Sequence, residues 1–323
     1  MEFFKSDRVY DFMKYKIPFL GLSVFLVIAS LVLLSTKGLN FGIDFSGGTI
    51  IQVKYTQEAP ITDIRNELAK SEQFKNATVT EFGTKDEVVI KITNTTTDLG
   101  SDIGDQITSL LVSTGEFELR RVDMVGPKVG GELKEKGITA LILALSVILI
   151  YVSYRFEWRF AVASIVALIH DIVIALGVIS LFSVEVNLDI LAALLTILGY
   201  SLNDTIIVFD RVREGVSKSN SNDLNEMINS SVSNTLSRTT LTSLTTFFVV
   251  FTLYVFGSEI ISGFSFTLLV GIVVGTYSSI FVASTFLVQL QFSIANFRAK
   301  EAEKVKKQKE KERIRAMYEK GIV

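Results

Sequence analysis

The stretch VNLDILAALLTILGYSLNDTIIVFDRVRE, residues 186–214, decides the fold. Within it, residues 190–209 form an apolar run that, at ~1.5 Å rise per residue, crosses a ~30 Å hydrocarbon core. Asn203 and Asp204 nevertheless sit inside that run, not far from its aqueous end at Asp210. A carboxylate at such depth costs roughly 2.5–3.5 kcal/mol on insertion scales. It therefore needs a protein partner, a water-filled path or a proton. Two readings stay open: a polar contact between helices, or a protonatable site in an ion pathway. The general rule for intramembrane acids favours the pathway.

Composition agrees with a membrane protein. Of 323 residues, 49% are hydrophobic and only 20% charged. The absence of cysteine excludes disulfides and thiolate chemistry, and the single histidine, His170, excludes a multi-histidine metal centre. No nucleophile–base constellation is evident, so an enzyme of covalent chemistry is not expected, nor is a cofactor. Charge is unevenly spread: residues 38–132 hold fifteen acids and nine bases, whereas 298–320 hold ten bases and five acids. The two regions are expected to face different compartments.

Six apolar spans can be marked, at about 17–35, 137–154, 160–182, 187–209, 238–257 and 264–288. The first follows Lys5, Arg8, Lys14 and Lys16; it is too long for a signal-peptide core and reads as a retained signal anchor. Bases collect before the first span, at Arg155 and Arg159, at Arg211, Arg213 and Lys218, and in the tail. The loops at 183–186 and 258–263 carry none. The positive-inside rule then puts both termini, residues 1–16 and 297–323, in the cytoplasm and residues 36–136 outside. The tail reads as a solvated topogenic helix, whose excess of bases also suits anionic lipid headgroups.

The outer segment alternates like a small α+β domain. Strands are expected at 49–55, 76–82, 87–93 and 116–123, and helices at 60–72 and 98–113. The order βαββαβ is that of a ferredoxin-like unit, which assigns no function by itself. GLNFGIDFSGG (38–48) and VGPKVGGEL (125–133) bracket the domain and read as tight glycine linkers; Asp44, in the first, reads as a solvated or capping carboxylate. His170 and Asp171 fall near the middle of the third span, where Asp171 is expected to face the bundle interior near the fourth helix. Arg238 opens the fifth span at a depth that Asp204 can share, so the two could pair; a gated proton site and a static salt bridge look alike at this level.

Four stretches resemble the SecD/SecF family of the resistance–nodulation–division (RND) superfamily: FGIDFSGG (41–48), VGPKVGGEL (125–133), ALIHD (167–171) and LLTILGYSLNDTIIVFDRVRE (194–214). The short outer segment is similar to the SecF branch. The resemblance implies an inner-membrane subunit with six helices, paired with SecD beside the SecYEG translocon. It further implies use of the proton motive force to move emerging preprotein, with a YajC-type small subunit as a further partner and no specific nucleic acid. It carries the proton path onto Asp204 and Arg238, with Asn203 and Asp171 nearby. Asp44, Gly47, Gly48, Gly126, Gly130, Asp210 and Arg211 enter as motif positions. The rival expectations are an RND-type half-transporter for a small molecule or lipid, and a purely structural assembly subunit.

Overall fold

In a computed structural model, residues 9–93, 103–218 and 221–319 are described. Among them, six helices are long and apolar enough to cross a membrane. The first is α1 (Lys16–Thr36), preceded by a short helical turn. After the outer domain come α5 (Pro127–Arg155), α6 (Trp158–Leu181), α7 (Leu188–Lys218) and α8 (Leu224–Phe256). The last span is α9 (Glu259–Ser278), a π turn (Ser279–Ala283) and α10 (Ser284–Gln289). The basic tail is one helix, α11 (Ile294–Glu319).

Three spans form the centre and three the flanks. α6 and the α9–α10 span bury more than half of their apolar stretch, whereas α1, α5 and α8 bury about a tenth. Close approach depends on missing side chains. A Cβ at Gly271 would enter the Ile197 side chain, and one at Gly275 would lie 3.0 Å from Ser201 Cβ, so α9 seats directly on α7. Gly177 likewise admits Ser30 of α1. Two apolar clusters result. One, around Phe160, Phe209 and Leu287, fills the cytoplasmic half; the other, around Ile179, Leu194 and Ile272, fills the outer half. A polar layer separates them.

Between α1 and α5 lie β1 (Asn40–Phe41), α2 (Ile43–Ser46), β2 (Gly48–Tyr55), α3 (Ile61–Ala69), β3 (Thr78–Phe82), β4 (Thr84–Thr93), α4 (Ile103–Leu111) and β5 (Phe117–Val125). The main sheet has the order β3-β4-β2-β5, every neighbouring pair antiparallel. Alternation along β2 sends Ile51 and Val53 against Ile64, Leu68, Ile103 and Ile107 of the two helices. The opposite sheet face overhangs the α6–α7 and α8–α9 turns across a groove of about 800 Å³. Residues 98–102 of the expected second helix lie outside the described residues, as do Lys5, Arg8 and the end of the tail.

Three expectations need correction. VGPKVGGEL is not a linker: Gly126 precedes the helix and Pro127 is its first residue, where a missing N–H costs nothing. GLNFGIDFSGG is not a plain linker either, since it contains β1 and α2. The fourth and fifth spans also run well past their apolar limits into the cytoplasmic side, at 210–218 and 224–237.

Candidate functional site in the membrane

The polar layer is built by α6, α7, α8 and α9 around two carboxylates. Asp171 is fully buried. Its Oδ2 accepts from Ser201 Oγ at 2.5 Å and from Ser278 Oγ at 2.8 Å, so α7 and α9 both close on it. Its Oδ1 lies 2.9 Å from His170 Nδ1. The His170 ring stacks beside Tyr277, and its Nε2 is buried without a hydrogen-bond partner among the described residues. Adjacent residues on a helix diverge by ~100°. Here the His170 ring folds back onto its neighbour, so the two act as one unit.

Asp204 lies one helical turn from Ser201 on the cytoplasmic side and is 7% exposed. Ser243 Oγ of α8 donates to its Oδ2 at 3.2 Å, and Thr276 Oγ1 of α9 donates to Ser243 Oγ at 2.8 Å. A cavity of about 40 Å³ adjoins the carboxylate, lined also by Tyr200, Ser201, Asn203 and Thr246. At ~10–15 Å³ per site, that volume admits a short file of water. The arrangement places Asp204 beside water-sized space and next to the hydroxyls of Ser243 and Thr276. Among the described residues, no group of three or more His, Cys, Asp or Glu side chains is placed to hold a metal ion.

The expected Arg238–Asp204 pair is not formed. Arg238 is exposed on α8, and no ion pair within 4 Å joins it to Asp204. Depth alone did not fix its direction: Arg238 precedes Ser243 by five residues, which turns it ~140° away from the residue that reaches Asp204. Asn203 is exposed at the mouth of the cavity. Asp210 and Arg211 are exposed at the cytoplasmic end, where Arg211 pairs with Glu214 at 2.6 Å.

The glycine motifs pack against each other outside the membrane. Gly47 (φ 80°) and Gly48 (φ 152°) have backbone angles that favour glycine. A Cβ on Gly47 would meet Pro127 Cα at 2.8 Å, and one on Gly130 would meet Gly47 N at 2.9 Å. Gly126 has open space and an ordinary φ, so nothing at that position demands glycine. Asp44 Oδ2 accepts from Leu188 N at 3.0 Å, which makes it a capping carboxylate for α7. Ser243 falls in the hydroxyl-rich start of the fifth span (233–246), which the sequence marks for contacts between helices, but sequence reasoning missed Ser201, Thr276 and Ser278. Their readable signal was spacing, since Ser201 sits three residues before Asp204 and Ser278 three after Gly275.

Fold and site together define a multi-pass membrane protein of the transporter type, with an α+β outer domain and a buried acidic layer between its helices. Residues 106–293 match the C-terminal region of the protein export membrane proteins SecD/SecF, and residues 32–59 match the SecD/SecF GG motif. The chain is 48% identical over its whole length to the protein translocase subunit SecF of Helicobacter pylori, covering all of that protein. To SecF of Vibrio alginolyticus it is 46% identical, covering 88% of this chain and 91% of the relative. The crystal structure of SecDF, a translocon-associated membrane protein from Thermus thermophilus, superposes with a TM-score of 0.77 at 33% identity. That match covers 88% of this chain but only 39% of the SecDF chain, so this protein spans about two fifths of that larger one. The chain belongs to the SecD/SecF family of protein export membrane proteins, within the RND superfamily.

Proposed function

We propose that this chain is the SecF-type subunit of a Sec translocation machine. With a SecD-type partner beside a SecYEG-type translocon, it uses the proton motive force to draw preprotein outward. One observation carries the reading: Asp204 is buried at membrane depth, touches one hydroxyl among the described residues and opens onto a cavity sized for water. A carboxylate so placed gains or loses a proton with little rearrangement of its own. One charge crossing 100 mV releases about 2.3 kcal/mol, enough to bias a helix shift.

A SecD-type partner is favoured by the α7–α8 surface. Thr196, Tyr200, Asn203, Arg238 and Thr242 are exposed along it, although they belong to spans. Lipid would solvate such a stripe poorly, so a second bundle of SecD type is the fitting cover. Arg238 and Asn203 then join the proton pathway at that interface, with Asp171 as an inner station. We read the outer domain as ferredoxin-like, which the order β3-β4-β2-β5 supports. A YajC-type subunit and the emerging preprotein belong to the same proposal.

The test uses membrane vesicles holding the chain and its SecD-type partner. Proton-gradient-dependent completion of preprotein translocation is compared between wild type and Asp204→Asn, with complex levels measured by blot. The carboxamide oxygen can still accept from Ser243, so the complex is expected at normal level with the gradient-dependent step lost. Full activity in Asp204→Asn overturns the proton reading, and loss of the complex favours an assembly role. A sodium gradient at constant pH separates the two candidate ions.

A further inference from the structure

We infer that Asp44 is a positioning residue that ties the outer domain to the helix bearing Asp204, so that the two move as one body. The inference rests on the proton reading of Asp204 and adds the element that carries its movement outward.

Several bonds converge on one short segment, Glu185–Leu188. β1 pairs in parallel with β6 (Glu185–Val186), Asn40 opposite Glu185 and Phe41 opposite Val186. Gly42 N donates to Val186 O at 2.8 Å. Asp44 Oδ2 accepts from Leu188 N at 3.0 Å. Lys91 Nζ, on β4 of the outer domain, meets both Glu185 carboxylate oxygens at 3.1 Å. The segment is therefore held by the linker and by the domain itself.

The placement of Asp44 distinguishes it from an ordinary cap. α7 already has a local cap, since Asn187 Oδ1 accepts from Ile190 N at 3.1 Å. Asp44 takes a different orphan donor, the N–H of the first helical residue, and brings a negative charge to the positive end of the helix. It comes from a segment far away in sequence, four residues before Gly48, where β2, one of the two inner strands of the sheet, begins. Its other side is fixed as well: Gly47 and Phe45 abut the first turn of α5 at Pro127 and Gly130. From Leu188 to Asp204, α7 is one unbroken helix of ~24 Å. A shift at Asp204 thus reaches the cap undiminished, and the cap hands it to the sheet.

Wild-type chain contains no cysteine, so introduced pairs report without background from it. The experiment places the full chain with its SecD-type partner in proteoliposomes. It reads gradient-dependent translocation and the distance between spin labels at Asn66→Cys on α3 and Ser217→Cys on α7, with and without a proton gradient. In wild type the distance is expected to stay constant when the gradient is applied. Asp44→Ala is expected to lower the gradient-dependent rate about fivefold or more and to let the distance change, at normal complex level. Asp44→Asn keeps an acceptor and is expected within about twofold of wild type. A disulfide from Asn40→Cys with Glu185→Cys, at a strand spacing of about 4.7–4.9 Å, replaces the tie covalently. Added to Asp44→Ala it is expected to restore the rate, and it also rescues the comparison if Asp44→Ala alone assembles poorly.

Wild-type behaviour in Asp44→Ala, or a formed disulfide that fails to restore the rate at normal complex level, overturns the inference. Neither result touches the proton reading. That reading is tested by Asp204→Asn in the same vesicles with Asp44 intact.

Discussion

Ser201 joins the two buried carboxylates: its Oγ donates to Asp171 Oδ2 at 2.5 Å while the same residue lines the cavity onto which Asp204 opens. The GxxxG pair on α9 makes this possible. With only hydrogens at Gly271 and Gly275, α9 approaches α7 closely enough for Ser278 to reach the same carboxylate oxygen. Asp171 is thereby shared by three helices, its hydrogen bonds joining α6 to α7 and α9.

Ser201→Ala is therefore expected to be costly. A fully buried carboxylate loses one of its donors, and the cost of an under-satisfied buried group is about 1–3 kcal/mol, more for a charged one. The purified chain should melt at a lower temperature, and gradient-dependent translocation should fall with it. An unchanged melting curve would show that the Ser201–Asp171 bond does not hold the bundle together.

Ser243→Ala makes the contrasting case. It removes the hydroxyl that Asp204 accepts from, but the adjoining cavity can supply water in its place. The expected loss is the ordinary net value of one hydrogen bond, about 0.5–1.5 kcal/mol. Thermal denaturation of the two serine variants side by side checks the order: Ser201→Ala should be the less stable.

The spans were legible because hydropathy is a local property, and the depth of Asp171 and Asp204 followed from counting residues along a helix. The cytoplasmic extension of α8 was missed by hydropathy, although Met227, Ile228, Ser231, Val232 and Thr235 are buried at helical spacing. Direction around a helix is a harder quantity. Arg238 has the depth expected of it and the wrong azimuth, because residues further along the same helix determine which face meets α7. Contacts between distant segments left no local trace. Nothing in FGIDFSGG announces that Asp44 caps a helix 144 residues later, and nothing in SSIFVA marks a π turn.

The two adjacent glycines of α5 give opposite predictions. A Cβ on Gly130 would lie 2.9–3.0 Å from backbone atoms of Gly47 and Phe45, which cannot swing aside as a side chain would. Gly130→Ala should destabilise by about 1–3 kcal/mol. Gly131 has open space around it inside the same helix, so Gly131→Ala should be neutral or stabilising by up to about 1 kcal/mol from helix propensity. Protease sensitivity of the outer domain checks the pair. Increased cleavage is expected for the first substitution only, and equal behaviour of both would contradict the proposed packing of the two glycine motifs.

Arg238 separates intrachain from interchain roles. It is exposed on α8 and forms no ion pair with Asp204 in the isolated chain. Arg238→Gln should therefore change the melting of the purified subunit by no more than about 0.5 kcal/mol, as surface substitutions do. The same substitution should weaken gradient-dependent translocation once the SecD-type partner is present, because the charge then lies at the α7–α8 surface that the partner covers. Melting of the lone subunit and translocation by the assembled pair are the two measurements. A large destabilisation of the lone subunit would place Arg238 in the packing of its own bundle. Full activity of the assembled pair would remove Arg238 from the proposed pathway and leave Asp204 to act through Ser243, the cavity and Ser201.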